Sequence, residues 1–421
     1  MKLSIILFSL ILLVGLCTSS EEFHDRRSLQ EYVDSFVDAN KFKLGGSSSI
    51  NGSAISQIWS FFKAKYRRYY SSTGEENARH RIFIDHLKYV LKSNLEKLRT
   101  YHLALNQFSD WTLAEFDAFK KGLKISPSLR RNLIDDEPDE DALQRSLAKF
   151  YQRHYHSRRL KRNLNKRRHK DRRFWRDWFD KFFNYDNKKN DTNPQTNVFD
   201  WRTKNAVSSV KNQGKCGSCY AFAAVTVLEA LYAIKTKSQN VTEFSPQQIV
   251  DCSSEKYEND GCVGGNFPPS ISYISDKGGK IATKDSYPYA EKKESCRTDG
   301  INEIDLGKVE YVEIPLGDEK KMAEVLTKYG PIFIGLDADS KLFMFYEKGV
   351  LNIDNCPTRP QDMDHALTIV GYGYDEALKT PYWLIKNSWG TKWGENGYLR
   401  LIKDAGNMCG VASMAYYAKL T

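Results

Sequence analysis

The stretch KNQGKCGSCYAF, from Lys211 to Phe222, sets two cysteines three residues apart behind a glutamine and among glycines. Four chemistries use such a pair: a metal knuckle, a dithiol redox couple, half of a disulfide, or a nucleophile. Zinc is disfavoured, because CGSC has no second close pair and no histidine at finger spacing. A thioredoxin-like couple needs a βαβ context that is missing here. The chain has eight cysteines. Cys17 falls in an apolar leader, which leaves Cys216, Cys219, Cys252, Cys262, Cys296, Cys356 and Cys409. That number is odd, so an oxidised chain keeps one thiol over, and spacing alone does not choose the pairing.

After Cys219, the run YAFAAVTVLEALYAIKT places Phe222, Val225, Leu228, Glu229, Leu231 and Tyr232 at the spacing of a buried helix. Cys219 then stands in the first turn, where free N–H groups and the helix dipole favour a thiolate. The plain alternative is a buried structural cysteine. A nucleophile needs a base and a group that orients the base. His365, in MDHALTIVGYGY, is the only histidine after His169, and the β-branched run behind it reads as a strand with the imidazole at its entrance. A second strand leads into Asn387, in KNSWGTKWGENGY. Cysteine, histidine and asparagine suffice for a thiolate–imidazolium pair with an amide to fix the ring.

QGKCGSCYAF, DHALTIVGYGY and KNSWGTKWGENGY, in that order, resemble the papain-like cysteine peptidases of the cathepsin L and F type. The resemblance implies an α+β fold of two lobes, one helical and one β-barrel-like, with the active-site cleft between them. It implies Cys219 as nucleophile, His365 as general base and later acid, and Asn387 as the group that holds the imidazole. Trp389 would cover that hydrogen bond, and Gln213 would join the Cys219 backbone N–H in stabilising an oxyanion. The family's disulfides would fall at Cys216–Cys262, Cys252–Cys296 and Cys356–Cys409, leaving Cys219 free. Gly264 and Gly265 would offer the backbone edge that pairs with an extended peptide. Phe267, Met363, Ala366 and Met414 would line an apolar second subsite, which implies a preference for aliphatic or aromatic side chains there. Tyr220 departs from the family, which usually has tryptophan beside the nucleophile. No insertion like an occluding loop stands around residues 295 to 315, which implies endopeptidase action. No cofactor or metal is expected.

Ahead of this unit, residues 58 to 98 are strongly helical in pattern, with charged and apolar positions alternating at helical spacing. Glu75, Arg79, Phe83, Val90 and Asn94 fall at fixed helical intervals and resemble the propeptide helix of the same family, with His86 where that motif has asparagine. ALNQFSDWT, around Asn106, Phe108 and Asp110, resembles its second propeptide motif, with Ala104 in place of glycine. The implied role is an intramolecular inhibitor that fills the cleft in a reversed or otherwise unproductive direction. Its ion pairs are expected to weaken in acid and release the enzyme.

Bulk properties set the frame. The 421 residues exceed one ordinary core and carry a net charge of +10. From Val198 onward acidic residues slightly outnumber basic ones, so the excess lies N-terminal, above all in residues 149 to 176. The expected division is a signal peptide over 1–20, a helical inhibitory propeptide over 21–124, a charged linker over 125–195 and a peptidase over 196–421. The apolar stretch from Leu3 to Leu16 is too short for a comfortable membrane span and fits a secretory leader. That implies the secretory pathway, ending in a lysosome or outside the cell, and gives meaning to sequons at Asn51, Asn190 and Asn240. In the linker, Arg159 to Arg162 and Lys166 to Arg168 read as processing sites, and the basic run could bind anionic glycans or membranes. Nucleic acid is excluded by the secretory leader. Expected partners are peptide substrates, the chain's own propeptide and cystatin-like inhibitors, with the enzyme a monomer.

Overall fold

The computed structural model describes residues 28–37, 52–96, 99–125 and 198–421. The leader, most of the linker with its basic run and processing sites, and the sequons at Asn51 and Asn190 lie outside the described residues. The third sequon residue, Asn240, is exposed.

The N-terminal part holds helices α1 (Leu29–Asp34), α2 (Gly52–Tyr66) and α3 (Thr73–Asn94), strand β1 (Tyr101–Leu103) and helix α4 (Leu113–Lys120). The helical pattern read over 58 to 98 resolves into two helices among the described residues. Arg67 takes a left-handed backbone conformation (φ 51°) that ends α2, and Ser72 caps α3 by accepting the Glu75 N–H at 3.1 Å. The turn lets the two apolar stripes face each other. Ile58, Trp59 and Phe62 of α2 meet Phe83, Leu87 and Val90 of α3, all buried. Phe83 lies 5.1 Å from the Trp59 ring and 4.9 Å from Phe62. Thr112 and Glu115 close a capping box at α4, and both oxygens of Glu115 accept from the Arg79 guanidinium of α3 at 2.6 Å. That bidentate pair staples α3 to α4.

From Val198 the chain adds β2 (Phe199–Asp200), then α5 (Cys219–Thr236), α6 (Pro246–Cys252) and α7 (Phe267–Asp276). Strands β3 (Lys280–Ala282) and β4 (Glu303–Asp305) pair with each other, and β5 (Val309–Glu313), α8 (Glu319–Lys328), β6 (Ile332–Leu336), α9 (Lys341–Met344) and β7 (Tyr346–Leu351) follow. The last strands are β8 (His365–Asp375), β9 (Thr380–Lys386), β10 (Tyr398–Ile402) and β11 (Ala415–Leu420). Helix α5 is apolar on almost every side and is buried against α6, α7, β8 and β11, as a central helix must be. The other face of the cleft is a sheet in the order β1, β7, β10, β9, β8, β6, β11, β5, with β2 added on β8. All its pairings are antiparallel except β7 with β10. Through β1 the N-terminal part contributes a strand of its own: Tyr101 lies opposite Gly349 of β7. The described residues up to Lys124 pack with 198–421 as one compact unit.

Candidate active site

Cys219 is the first residue of α5, so its thiol sits where the helix presents free N–H groups. It is the free cysteine among the described residues and is fully buried. The other six close bridges at Cys216–Cys262, Cys252–Cys296 and Cys356–Cys409. The Ala366 N–H points at the Cys219 Sγ from 3.4 Å.

Strand β8 begins at His365 and its antiparallel neighbour β9 ends at Lys386, so the pairing delivers Asn387 beside the imidazole. His365 Nε2 lies 2.8 Å from Asn387 Oδ1. The Ser388 N–H donates to the same oxygen at 2.8 Å, which fixes the amide orientation. Nε2 therefore carries the proton, and Nδ1 remains as the basic nitrogen. Trp389 is fully buried and stacks on the imidazole, with centroids 4.6 Å apart.

Gln213 is held by the same loop. Its N–H donates to the Ser388 carbonyl at 2.9 Å, and its Oε1 accepts from Ser388 Oγ at 2.8 Å. Nε2 is thus turned toward the cleft, where it donates to the carbonyls of Cys216 at 2.9 Å and Lys120 at 3.3 Å. Ser388 orients both Asn387 and Gln213. Sequence reasoning did not single it out, although it stands inside the KNSWG motif.

The segment after α4 lies across this constellation. Gly265 donates to the Gly122 carbonyl, Lys124 donates back to the Gly265 carbonyl, each at 2.9 Å, and Leu123 bridges Gly265 in the parallel sense. The Asp364 carbonyl accepts from Gly122 and Leu123, both at 3.0 Å. Two glycines make this approach possible. A Cβ on Gly122 would lie 2.0 Å from the Gly217 carbonyl oxygen, and one on Gly265 would lie 2.2 Å from Asn259 Oδ1 and 2.6 Å from the Tyr220 ring. Gly264, at φ +141°, gives the strand a conformation only glycine adopts freely. Tyr220, smaller than the family's tryptophan, donates its hydroxyl to the Gly261 carbonyl at 3.0 Å.

Leu123 is buried in a pocket floored by Gly335 and flanked by Met363 and Met414. A Cβ on Gly335 would meet Leu123 Cδ2 at 2.6 Å and the Cβ atoms of both methionines at 3.2 Å. Phe267 opens α7 and packs on Phe333 and Tyr416, while Ala366 borders the thiol. Gly335 was missed from sequence, because a bare pocket floor leaves no pattern.

Burial sets the charge state. It pushes the Cys219 thiol up to about 12, and Asp364 acts in the same direction. It pulls His365 down to about 3 against the opposing Asn387 hydrogen bond, and the Lys121 and Lys120 cations add to the depression. Both directions disfavour charge on the pair while the residues after α4 cover it. Lys120 itself is buried, donates to the Gly214 carbonyl at 2.6 Å and lies over the Phe108 and Trp111 rings. Desolvation lowers it to about 8.

The ion pairs respond to acid unequally: burial raises Asp364, which holds Lys121 across the join, to about 6, so that pair weakens in mild acid. The Arg79 guanidinium holds Glu115 down at about 2. A lowered carboxylate stabilises the fold above its ordinary value near 4.5 and loses that contribution only between there and about 2. The staple thus persists through mild acid. His86 also has the sign and range to respond to mild acid. It is buried at the join, with Nδ1 3.0 Å from the Ser109 carbonyl and its ring 4.9 Å from Phe345. Desolvation lowers it, with Lys341 adding to the shift, while the Ser109 hydrogen bond and Asp85 oppose it. A lowered histidine stabilises above its ordinary value near 6.5 and loses that contribution as pH falls below it.

Residues 195–419 match the papain family of cysteine proteases, and residues 59–116 match the cathepsin propeptide inhibitor domain (I29). Digestive cysteine proteinase 1 of Homarus americanus is 34% identical over 367 residues, which span 86% of this chain and 95% of that protein. Cathepsin L1 of Drosophila melanogaster is 34% identical over 368 residues, 86% of this chain and 85% of that protein. Among solved structures, digestive procathepsin L 3 of Tenebrio molitor larval midgut is similar with a TM-score of 0.64 at 31% identity, covering 87% of this chain and 99% of that one. With cysteine, imidazole and amide gathered under a helical prodomain, the chain belongs to the papain family of cysteine proteases and is built as a proenzyme with a cathepsin-type propeptide.

Proposed function

We propose that the mature enzyme cleaves peptide bonds through Cys219 and His365, with Asn387 and Ser388 as positioning residues and an apolar residue taken in the second subsite. Once the prodomain leaves, water and the α5 N-terminus favour charge separation, so the thiol proton passes to His365 Nδ1. The thiolate attacks the scissile carbonyl, and the oxyanion is met by Gln213 Nε2 and the Cys219 N–H. The imidazolium then gives its proton to the leaving amine as the C–N bond breaks. Water, deprotonated by His365, hydrolyses the thioester and frees the thiol.

The observation that carries this reading is the Lys120 carbonyl held by Gln213 Nε2 while Leu123 fills the methionine pocket. Both contacts support a substrate path along this segment, and its parallel pairing with Gly265 fits an unproductive direction. The leader and the three disulfides support entry into the secretory pathway. The basic run of residues 149 to 176 supports retention on anionic glycans until processing removes it. The test is acid activation of the full chain under reductant, labelling with an epoxide thiol inhibitor and mass mapping. The label is expected on Cys219, and Cys219→Ala is expected to lower hydrolysis on the order of 10⁴-fold or more. Label elsewhere, or undiminished hydrolysis, contradicts the assignment.

A further inference from the structure

Beside His365, on the wall opposite α5, the prodomain seats an ammonium in a ring of carboxylates. Lys121 Nζ lies 2.7 Å from Asp117, 3.0 Å from Asp364 and 3.2 Å from Asp339. The Lys121 side chain is only 10% exposed and Asp364 26%, while Asp117 and Asp339 reach the ammonium from the exposed rim. Asp117 belongs to α4 and departs with the prodomain, whereas Asp364 and Asp339 belong to the peptidase. Asp364 is fixed by the Ala338 N–H on its Oδ1 at 2.9 Å, and the Asp339 N–H donates to Asp337 Oδ1 at 3.1 Å. Asp337 and Asp362 add negative potential around the same point, although Asp362 already holds Arg359. Among the described residues no peptidase cation pairs with Asp339 or Asp364, so removal of Lys121 leaves two carboxylates facing the cleft.

The register says which substrate residue they would meet. Leu123 occupies the apolar second pocket, Gly122 lies against Gly217 at the catalytic centre, and Lys121 is the next residue along. Consecutive residues of an extended chain occupy consecutive subsites. Lys121 therefore falls one step past the centre, on the leaving-group side. We propose that Asp339 and Asp364 form a subsite for a lysine or arginine side chain at the first position after the scissile bond, with Asp339 the member whose charge can be changed without touching the neighbour of His365. The proposal rests on the peptidase reading above.

The test uses the full chain, activated in acid and titrated with the epoxide, on fluorogenic peptides that keep leucine in the second subsite. Only the residue after the scissile bond changes: lysine, glutamine or glutamate. Wild type is expected to show kcat/KM for lysine over glutamine of about fivefold, the scale of a partly exposed ion pair, with a smaller ratio at high salt. Asp339→Asn is expected to bring the ratio toward one, Asp339→Glu to restore it, and Asp339→Lys to favour glutamate. Normal cleavage with a wild-type ratio near one, or a ratio untouched in Asp339→Asn, overturns the subsite while leaving the peptidase reading intact. Cleavage of none of the peptides overturns both.

Discussion

The prodomain engages the peptidase through two regions built on different physics. Residues 52 to 120 form a small folded body with its own aromatic core, an Arg79–Glu115 staple and one strand lent to the peptidase sheet. Residues 121 to 124 have no core at all. They are held by main-chain hydrogen bonds to Gly265 and Asp364, by burial of Leu123 and by the Lys121 ammonium. Burying one leucine is worth about 1.5–3 kcal/mol, too little to immobilise a free tetrapeptide against its chain entropy of about 1–2 kcal/mol per residue. The folded body therefore supplies the anchoring, and the strand supplies the blockade.

Breaking the body should cost most. Phe83→Ala removes a fully buried ring between Trp59 and Phe62 and should destabilise the prodomain by about 3–5 kcal/mol. Thermal melts of the full chain should show an early transition, and latency at pH 7 should be lost. Gly122→Val attacks only the strand. Its Cβ would meet the Gly217 carbonyl oxygen, so the body should melt normally while activity before processing rises about tenfold at neutral pH, read with a leucine-containing fluorogenic peptide. If Gly122→Val stays as latent as wild type, the division of labour between body and strand is wrong.

The smallest effect concerns pH. His86→Gln keeps a hydrogen-bonding side chain but removes the titration, so acid should no longer weaken the join as pH falls below about 6.5. The midpoint of acid activation should move down by about half a pH unit, with the rate at lower pH approaching wild type. An unchanged midpoint would send the trigger elsewhere. Because Glu115 is held at about 2, Arg79→Gln should weaken the prodomain at every pH above 5 without moving that midpoint.

The two regions also differ in how far the sequence exposes them. Cys219, His365, Asn387 and Gln213 stand in motifs dense with glycine and tryptophan, and the helices and strands that carry them have clear periodicity. The helical body was legible as helix, without the boundary between its two helices. Arg67 carries no breaker signal, and only the capping of Ser72 betrays the turn. The strand was invisible, because KKGL has no periodicity and its partners lie far along the chain at Gly217, Gly265, Gly335 and Asp364. The environment of the pair was hidden for the same reason: the motif favours an ion pair, and the covering segment desolvates both partners.

The most direct test compares the alkylation rate of Cys219 by iodoacetamide at pH 6 in the latent full chain and after acid activation. Desolvation of both groups beneath the prodomain predicts at least about a hundredfold acceleration on activation, with the latent thiol still slow at pH 8. Equal rates in the two forms would mean that residues 120 to 124 neither cover the sulfur nor hold it neutral.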